Sequence, residues 1–245
     1  MTLLEIALDD VGGAAIAERA GAQRIELCAG LADGGTTPSI GLIQSAAAEL
    51  TTATLMVLIR PRAGDFVYTP GELDVMLADI RAVRVAAPAA GFALGALTPA
   101  GEVDTDALRS LLDAADGAPV TFHKAFDSTR DLDRSLDILA EAGVDRVLTS
   151  GGRRTALEGA DVIRRLVERA DRRIIPIAAG SVRPDMVAAL IAATGVSDVH
   201  LRAASNRVSA STWSNPGQSY DGATTSTTDA AIVRDMTRAL GAVAS

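Results

Sequence analysis

Short apolar runs alternate with longer amphipathic stretches from one end of the chain to the other. Residues 3–8, 24–28, 55–60, 91–97, 120–125, 146–150, 174–180 and 198–202 have the length and composition of strands. Between and after them, residues 11–20, 40–50, 71–86, 105–115, 132–142, 159–170, 184–193 and 229–243 read as helices. Gly21, Gly143 and Gly195 stand where helices should stop, and Pro184 stands near the first position of the seventh helix. Eight βα units in 245 residues predict one TIM (β/α)8 barrel spanning residues 1–245 as a single domain. A doubly wound sheet would also alternate, but no GxGxxG loop follows the first strand. Only residues 204–228 depart from the rhythm. They are rich in Ser, Thr and Gly, contain Trp213 and Tyr220, and read as a long loop before the last helix.

Period-2 alternation assigns the strand faces. Leu4, Ile6 and Leu8, Ile25 and Leu27, Val57 and Ile59, Ile175 and Ile177, and Val199 and Leu201 are expected to meet the helix ring. The inward set is then unusually polar: Glu5, Glu26 and Cys28, Arg60 followed by Arg62, Thr121 and His123, Arg146 and Ser150, His200 and Arg202. Val120, Phe122 and Lys124 fall on the outer face. Buried charges are costly unless paired, so these groups must satisfy one another or a ligand. One reading is an internal salt-bridge network of Glu5, Glu26, Arg60 and Arg146. The other is a site at the strand ends, where parallel α/β barrels keep their chemistry. There His123 is the candidate acid/base, with Glu26 setting the protonation of His123 or His200, and Ser150 joins the catalytic set. Arg60 and Arg62 flank Pro61 and could clamp an anion. Ser150 precedes Gly151, and Gly180 and Ser181 precede a helix, so both turns could offer backbone amides to the same anion, with His200 nearby. Both turns also read as ordinary βα connections. Gly34-Gly35 forms a tight loop, after which Pro38 begins a helix.

Composition narrows the partners. The net charge of −8, the pI near 4.8 and an aromatic content of 3% argue against nucleic acid and anionic membranes. No apolar run reaches membrane-spanning length, and the N-terminus lacks the pattern of a signal peptide. A soluble cytoplasmic protein is expected. Cys28 is the single cysteine, so neither an intrachain disulfide nor a Cys-rich zinc site is available.

Taken together, Leu4-Glu5-Ile6, Arg24-Ile25-Glu26-Leu27-Cys28-Ala29, Gly34-Gly35-Thr36-Thr37-Pro38-Ser39, Arg60-Pro61-Arg62-Ala63-Gly64-Asp65-Phe66, Thr121-Phe122-His123-Lys124-Ala125-Phe126-Asp127, Arg146-Val147-Leu148-Thr149-Ser150-Gly151 and Gly180-Ser181-Val182-Arg183 resemble the CutC family, named for copper homeostasis. The resemblance covers most of residues 3–203. It implies a TIM barrel, a cytoplasmic location, a homodimer and copper handling. The chain departs from the family at Ala7-Leu8-Asp9-Asp10-Val11-Gly12-Gly13, where several members carry cysteines, and at Leu201-Arg202, where relatives tend to have small residues. Copper(I) prefers thiolate and thioether ligands. Cys28 and five scattered methionines make a poor copper(I) site, and any copper(I) bound should depend on Cys28.

Three functions therefore compete: copper binding in homeostasis; acid–base catalysis, of lyase or isomerase type, on a small anionic or phosphorylated molecule; and a non-catalytic barrel. A hard-metal variant would use Glu5, Glu26, His123 and His200 as ligands for zinc or manganese, although no HxH or HExxH spacing supports it.

Overall fold

The computed structural model describes residues 2–213, 215, 217 and 224–243. Eight parallel strands close in the order β1 (Leu3–Leu8), β2 (Arg24–Leu27), β3 (Thr54–Leu58), β4 (Gly91–Leu94), β5 (Val120–Phe122), β6 (Arg146–Thr149), β7 (Ile175–Ala178) and β8 (Asp198–Arg202), and β8 pairs back onto β1. The helices α1 (Gly13–Arg19), α2 (Ile40–Glu49), α3 (Pro70–Ala86), α4 (Thr105–Ala115), α5 (Leu132–Glu141), α6 (Ala160–Ala170), α7 (Val187–Thr194) and α8 (Ala230–Val243) surround them. This is the (β/α)8 barrel expected from the alternation.

Helix starts follow local side-chain chemistry. Thr69 and Glu72 form a reciprocal capping box around Pro70 at the head of α3, and Asp104 and Asp131 cap α4 and α5. Ser39, not Pro38, caps α2, with its Oγ accepting from the Leu42 amide. The helix expected from Pro184 begins only at Val187, because residues 183–186 form turns first.

The main apolar core lies between barrel and helices. Ile6, Ile25, Val57, Phe92, Val147 and Val199 face Ala17, Ile43, Ile80, Leu111, Leu166 and Val233, all buried. The seventh strand reverses the expected faces. Ile177 packs with Leu148 and Ala179 in a separate cluster, while Ala178 joins the outer core. Ile175 and Ile177 carry no polar alternation that would distinguish the two faces, and register with β6 decides them.

The segment 204–228 is not simply a loop. Its ends pair as an antiparallel hairpin, β9 (Ala204–Val208) with β10 (Thr224–Thr228). Asp10 fastens the hairpin by accepting from the Thr228 amide at 3.1 Å and the Thr228 hydroxyl at 2.5 Å. Trp213 is exposed, and Tyr220 lies outside the described residues.

Candidate active site at the barrel mouth

The barrel floor is a closed ionic network. Arg24, at the head of β2, donates its Nε to Glu5 and its Nη2 to Asp198 Oδ2 at 2.7 Å, with all three side chains buried. Glu5 Oε1 meets His200 Nδ1 at 2.7 Å, and His200 Nε2 faces Glu26 Oε2 at 3.8 Å. Burial works to raise the Glu5 carboxyl, but the His200 hydrogen bond and the Arg24 charge outweigh it and hold the group down at about 2. Burial would lower His200, yet the Glu26 charge and the Glu5 hydrogen bond raise it. An imidazole between two carboxylates is thus kept protonated. The internal network therefore runs through Arg24 and Asp198 rather than through Arg60 and Arg146.

Above this floor a cavity of about 240 Å³ opens among the strand ends. Glu26, His200, Ala7 and Cys28 line it from the β8–β1–β2 arc. Arg60, just beyond β3, and His123 and Lys124, just beyond β5, line the other arc. Leu31, Gly34, Leu58, Phe66, Leu148 and Arg202 complete the wall.

Arg60 is only 6% exposed, and no carboxylate lies within ion-pair distance of it among the described residues. Its Nη1 and Nη2 donate to the carbonyls of Gly35 and Gly64 at 2.7 and 2.8 Å. Its Nε is buried without a partner. The guanidinium carbon stacks 5.0 Å from the Phe66 ring centre, and Phe66 in turn lies 5.0 Å from the His123 ring.

His123 is 4% exposed. Its Nδ1 accepts from the Ala125 amide at 3.2 Å, which assigns the ring proton to Nε2. That Nε2 is buried and unpartnered. Burial and the nearby Arg60 charge push the imidazole down to about 3, so it is neutral at physiological pH. The ring rests on Gly95, where a Cβ would come within 2.9 Å of Cε1 and Nδ1. A neutral ring with a free Nε2–H is a hydrogen-bond donor, and it has no free nitrogen with which to accept a proton.

Other candidates are placed elsewhere. Arg62 does not join Arg60. It sits at the surface, paired with Glu72 and Asp65, donating to the Val67 carbonyl at 2.9 Å and stacking on Tyr68. Pro61 turns the two arginines apart, and Arg62 braces the β3–α3 loop that carries Phe66. Ser150 and Gly151 are occupied by their own turn. Asp127 accepts from the Ser150 amide, the Gly152 amide and the Thr149 hydroxyl, while the Gly151 amide donates to Thr149 Oγ1. Ser150 Oγ accepts from Lys124 Nζ at 2.8 Å. Gly180 and Ser181 do not line the cavity, and α7 starts too late for their amides to form its N-terminus. The three-part convergence of arginine pair, histidine and glycine turn is not assembled.

Lys124 is what the strand pattern missed. β5 ends at Phe122, and the chain turns into a 3-10 helix at Lys124–Ser128. Period 2 no longer applies there, so a residue read as outward reaches the mouth. Arg24 shares the parity of Glu26, a signal that was available. Asp127 and Phe66 had none, because the first lies in that 3-10 turn and the second in a loop.

Residues 2–205 match the CutC family. The chain belongs to the CutC family. A human copper homeostasis protein cutC homolog is 42% identical over 205 residues, covering 84% of this chain and 74% of that protein. A CutC family protein from Agrobacterium fabrum is 46% identical over 198 residues, covering 81% and 78%. The solved structure of CutC from Streptococcus agalactiae superposes with a TM-score of 0.78 at 36% identity, covering 82% of this chain and 98% of that one. Phosphoribosyl anthranilate isomerase from Thermotoga maritima reaches 0.61 at 12% identity across 99% and 100%, which shows a shared fold.

In this CutC chain the thiol is a poor partner for copper(I). Burial and the Glu26 charge raise Cys28 well above the ordinary thiol range, so it stays protonated. Its Sγ contacts Glu26 Oε2 at 3.7 Å. Both His200 nitrogens already face carboxylates. Among the described residues no three His, Cys, Asp or Glu side chains are arranged to hold a metal ion. The zinc or manganese set has the same difficulty: Glu5 and His200 are already paired at 2.7 Å, and His123 stands on the opposite arc.

Proposed function

We propose that this chain works in copper homeostasis, the role for which its human relative is named, by recognising a small anionic molecule at the barrel mouth. The observation that carries the reading is the buried Arg60 guanidinium. It has no acid partner among the described residues, and Arg60, His123, Lys124 and Arg202 line one cavity. An uncompensated buried cation costs several kcal/mol, roughly, and an anion would offset that cost. A thiolate–copper centre finds no comparable support, for the reasons above. Acid–base chemistry on the bound anion is a second reading, favoured by the placement of Glu26: it is buried, and its contacts to Cys28 and His200 are both long. A cytoplasmic setting suits the single free thiol, and no helix among the described residues is long and apolar enough to cross a membrane.

The test is thermal stability against acetate and phosphate concentration, wild type beside Arg60→Lys and Arg60→Ala. A ligand that binds the native state raises the melting temperature with concentration. The wild-type Tm should climb with at least one anion. The lysine variant, which keeps the charge but loses the planar guanidinium, should climb less, and the alanine variant hardly at all. Equal slopes in all three, or no slope in any, would remove the anion site.

A further inference from the structure

The cavity wall carries two side-chain cations from the strand ends besides Arg60, and each of the three is held by its own bracket. Arg202 is the last residue of β8, on the same strand face as His200 and one step nearer the mouth. Its register partner on β1 is Ala7, whose small side chain leaves the guanidinium room. Nη2 of Arg202 donates to Asp9 Oδ1 at 3.3 Å and to Ser226 Oγ at 3.0 Å. Asp9 follows β1, and Ser226 belongs to β10, beyond the residues 2–205 that match the family. On the other arc, Lys124 Nζ donates to Ser150 Oγ at 2.8 Å and lies 3.0 Å from Asp127 Oδ2. The Gly35 and Gly64 carbonyls hold the terminal nitrogens of Arg60. These bonds fix the cations without exhausting them. A lysine has three donor hydrogens and an arginine five, and none of the three residues spends more than two on its bracket. The sealed Nε of Arg60 and Nε2 of His123 take no part.

Glu26 is the one carboxyl in the lining, and burial pushes it up against the pull of the His200 charge, so it is readily neutralised. The lining therefore gathers Arg60, Lys124, His200 and Arg202 around one weak acid, in a chain whose net charge is −8. A cleft of one sign focuses its field on a ligand of the other. A carboxylate offers such a ligand site two oxygens. A phosphate monoester offers three terminal oxygens, which suits three cations arriving from three strand ends. Arg202 also stands after the eighth strand, a region where barrels often hold phosphate. We infer that the mouth takes the phosphoryl group of a small phosphate monoester between Lys124, Arg60 and Arg202, with Asp9 and Ser226 as positioning residues for Arg202. The inference rests on the anion reading of the same site and names its ligand class. The space is about 240 Å³, below the roughly 300 Å³ at which pockets for drug-sized ligands begin, so the esterified group is short. Leu58 and Leu148 give that group an apolar wall.

The experiment compares propyl phosphate, butyrate and inorganic phosphate by titration calorimetry on the full chain, at fixed ionic strength and about pH 8, where the phosphates are dianions. Propyl phosphate and butyrate carry the same hydrocarbon chain and differ in the acid group. Propyl phosphate should bind wild type about tenfold or more tightly than butyrate, through the added charged hydrogen bonds. It should also outbind inorganic phosphate, which leaves the apolar wall uncovered. Arg202→Gln should lower propyl phosphate affinity by about tenfold while moving butyrate by less than about threefold. Ser226→Ala should shrink the same preference by a smaller factor; a purely structural role would weaken both ligands alike. Butyrate binding as tightly as propyl phosphate overturns the inference and leaves the anion reading standing. Inorganic phosphate binding as tightly as propyl phosphate overturns the ester assignment. An unchanged preference in a folded Arg202→Gln overturns the part given to Arg202. No binding by any of the three overturns the inference, and flat acetate and phosphate melting slopes would then remove the anion reading as well. The wild-type series decides the ligand class even if Arg202→Gln does not fold.

Discussion

His200 Nδ1 lies 2.7 Å from Glu5 Oε1, joining the last barrel strand to the first through a buried ion pair. Glu5 also takes Arg24, so one carboxylate holds two cations beneath the cavity. Glu5→Gln should therefore destabilise the fold by roughly 3–5 kcal/mol, because it leaves buried positive charge uncompensated. Urea unfolding of the two proteins measures this. A loss below about 1 kcal/mol would show that water reaches the floor and screens it.

His123 should make the protein acid-sensitive. Its folded pKa is about 3 against an ordinary 6.5, so between those values the unfolded chain binds a proton that the folded one does not. Stability then rises with pH across that window, by roughly 5 kcal/mol in all. Glu5, depressed to about 2 from 4.5, adds a loss in the same direction as pH falls below 4.5. His123→Phe should flatten the stability profile between pH 6.5 and 4.5, where Glu5 does not yet contribute. An unchanged slope there would mean that the ring is not buried in its neutral form.

Cys28 should react slowly. Its thiol is buried and held protonated, so iodoacetamide should modify the native protein far more slowly than the urea-unfolded chain. Copper(I) competition against a chelator should reveal weak binding at most, lost in Cys28→Ser. Tight binding that persists in the serine variant would mean that copper uses other ligands.

Two glycines should respond oppositely to alanine. At Gly159 a Cβ would stand 1.9 Å from the Ser150 carbonyl oxygen, which is backbone and cannot swing aside. Gly159→Ala should cost several kcal/mol, on the order of an overpacked core. Gly41, inside α2, meets nothing within 4 Å. Gly41→Ala should stabilise by about 0.5–1 kcal/mol through the helix propensity and reduced freedom of the unfolded chain. Thermal melts of the pair check both signs.

The barrel itself was written in the order of the chain. Alternating apolar and amphipathic runs, with Gly21, Gly143 and Gly195 closing helices, determine (β/α)8 because each element must bury one face against the next. Parity along the strands, carried one residue past β5 for His123, also determined that Glu5, Glu26, His123 and His200 point inward. What each of them does was decided by neighbours distant in sequence. Asp198 claims Arg24, Glu5 and Glu26 share His200, and the Gly35 and Gly64 carbonyls take the ends of Arg60 and leave its Nε free. Lys124 and Arg62 exchanged their expected places where the strands ended, because periodicity carries no information once the backbone turns. The seventh strand departs from the expected faces for a related reason. Where every side chain is apolar, only the register with β6 tells inside from outside. Charge state likewise belongs to the tertiary structure: the chain's two histidines have the same intrinsic chemistry, and packing beside Arg60 or between two carboxylates makes one neutral and the other a cation.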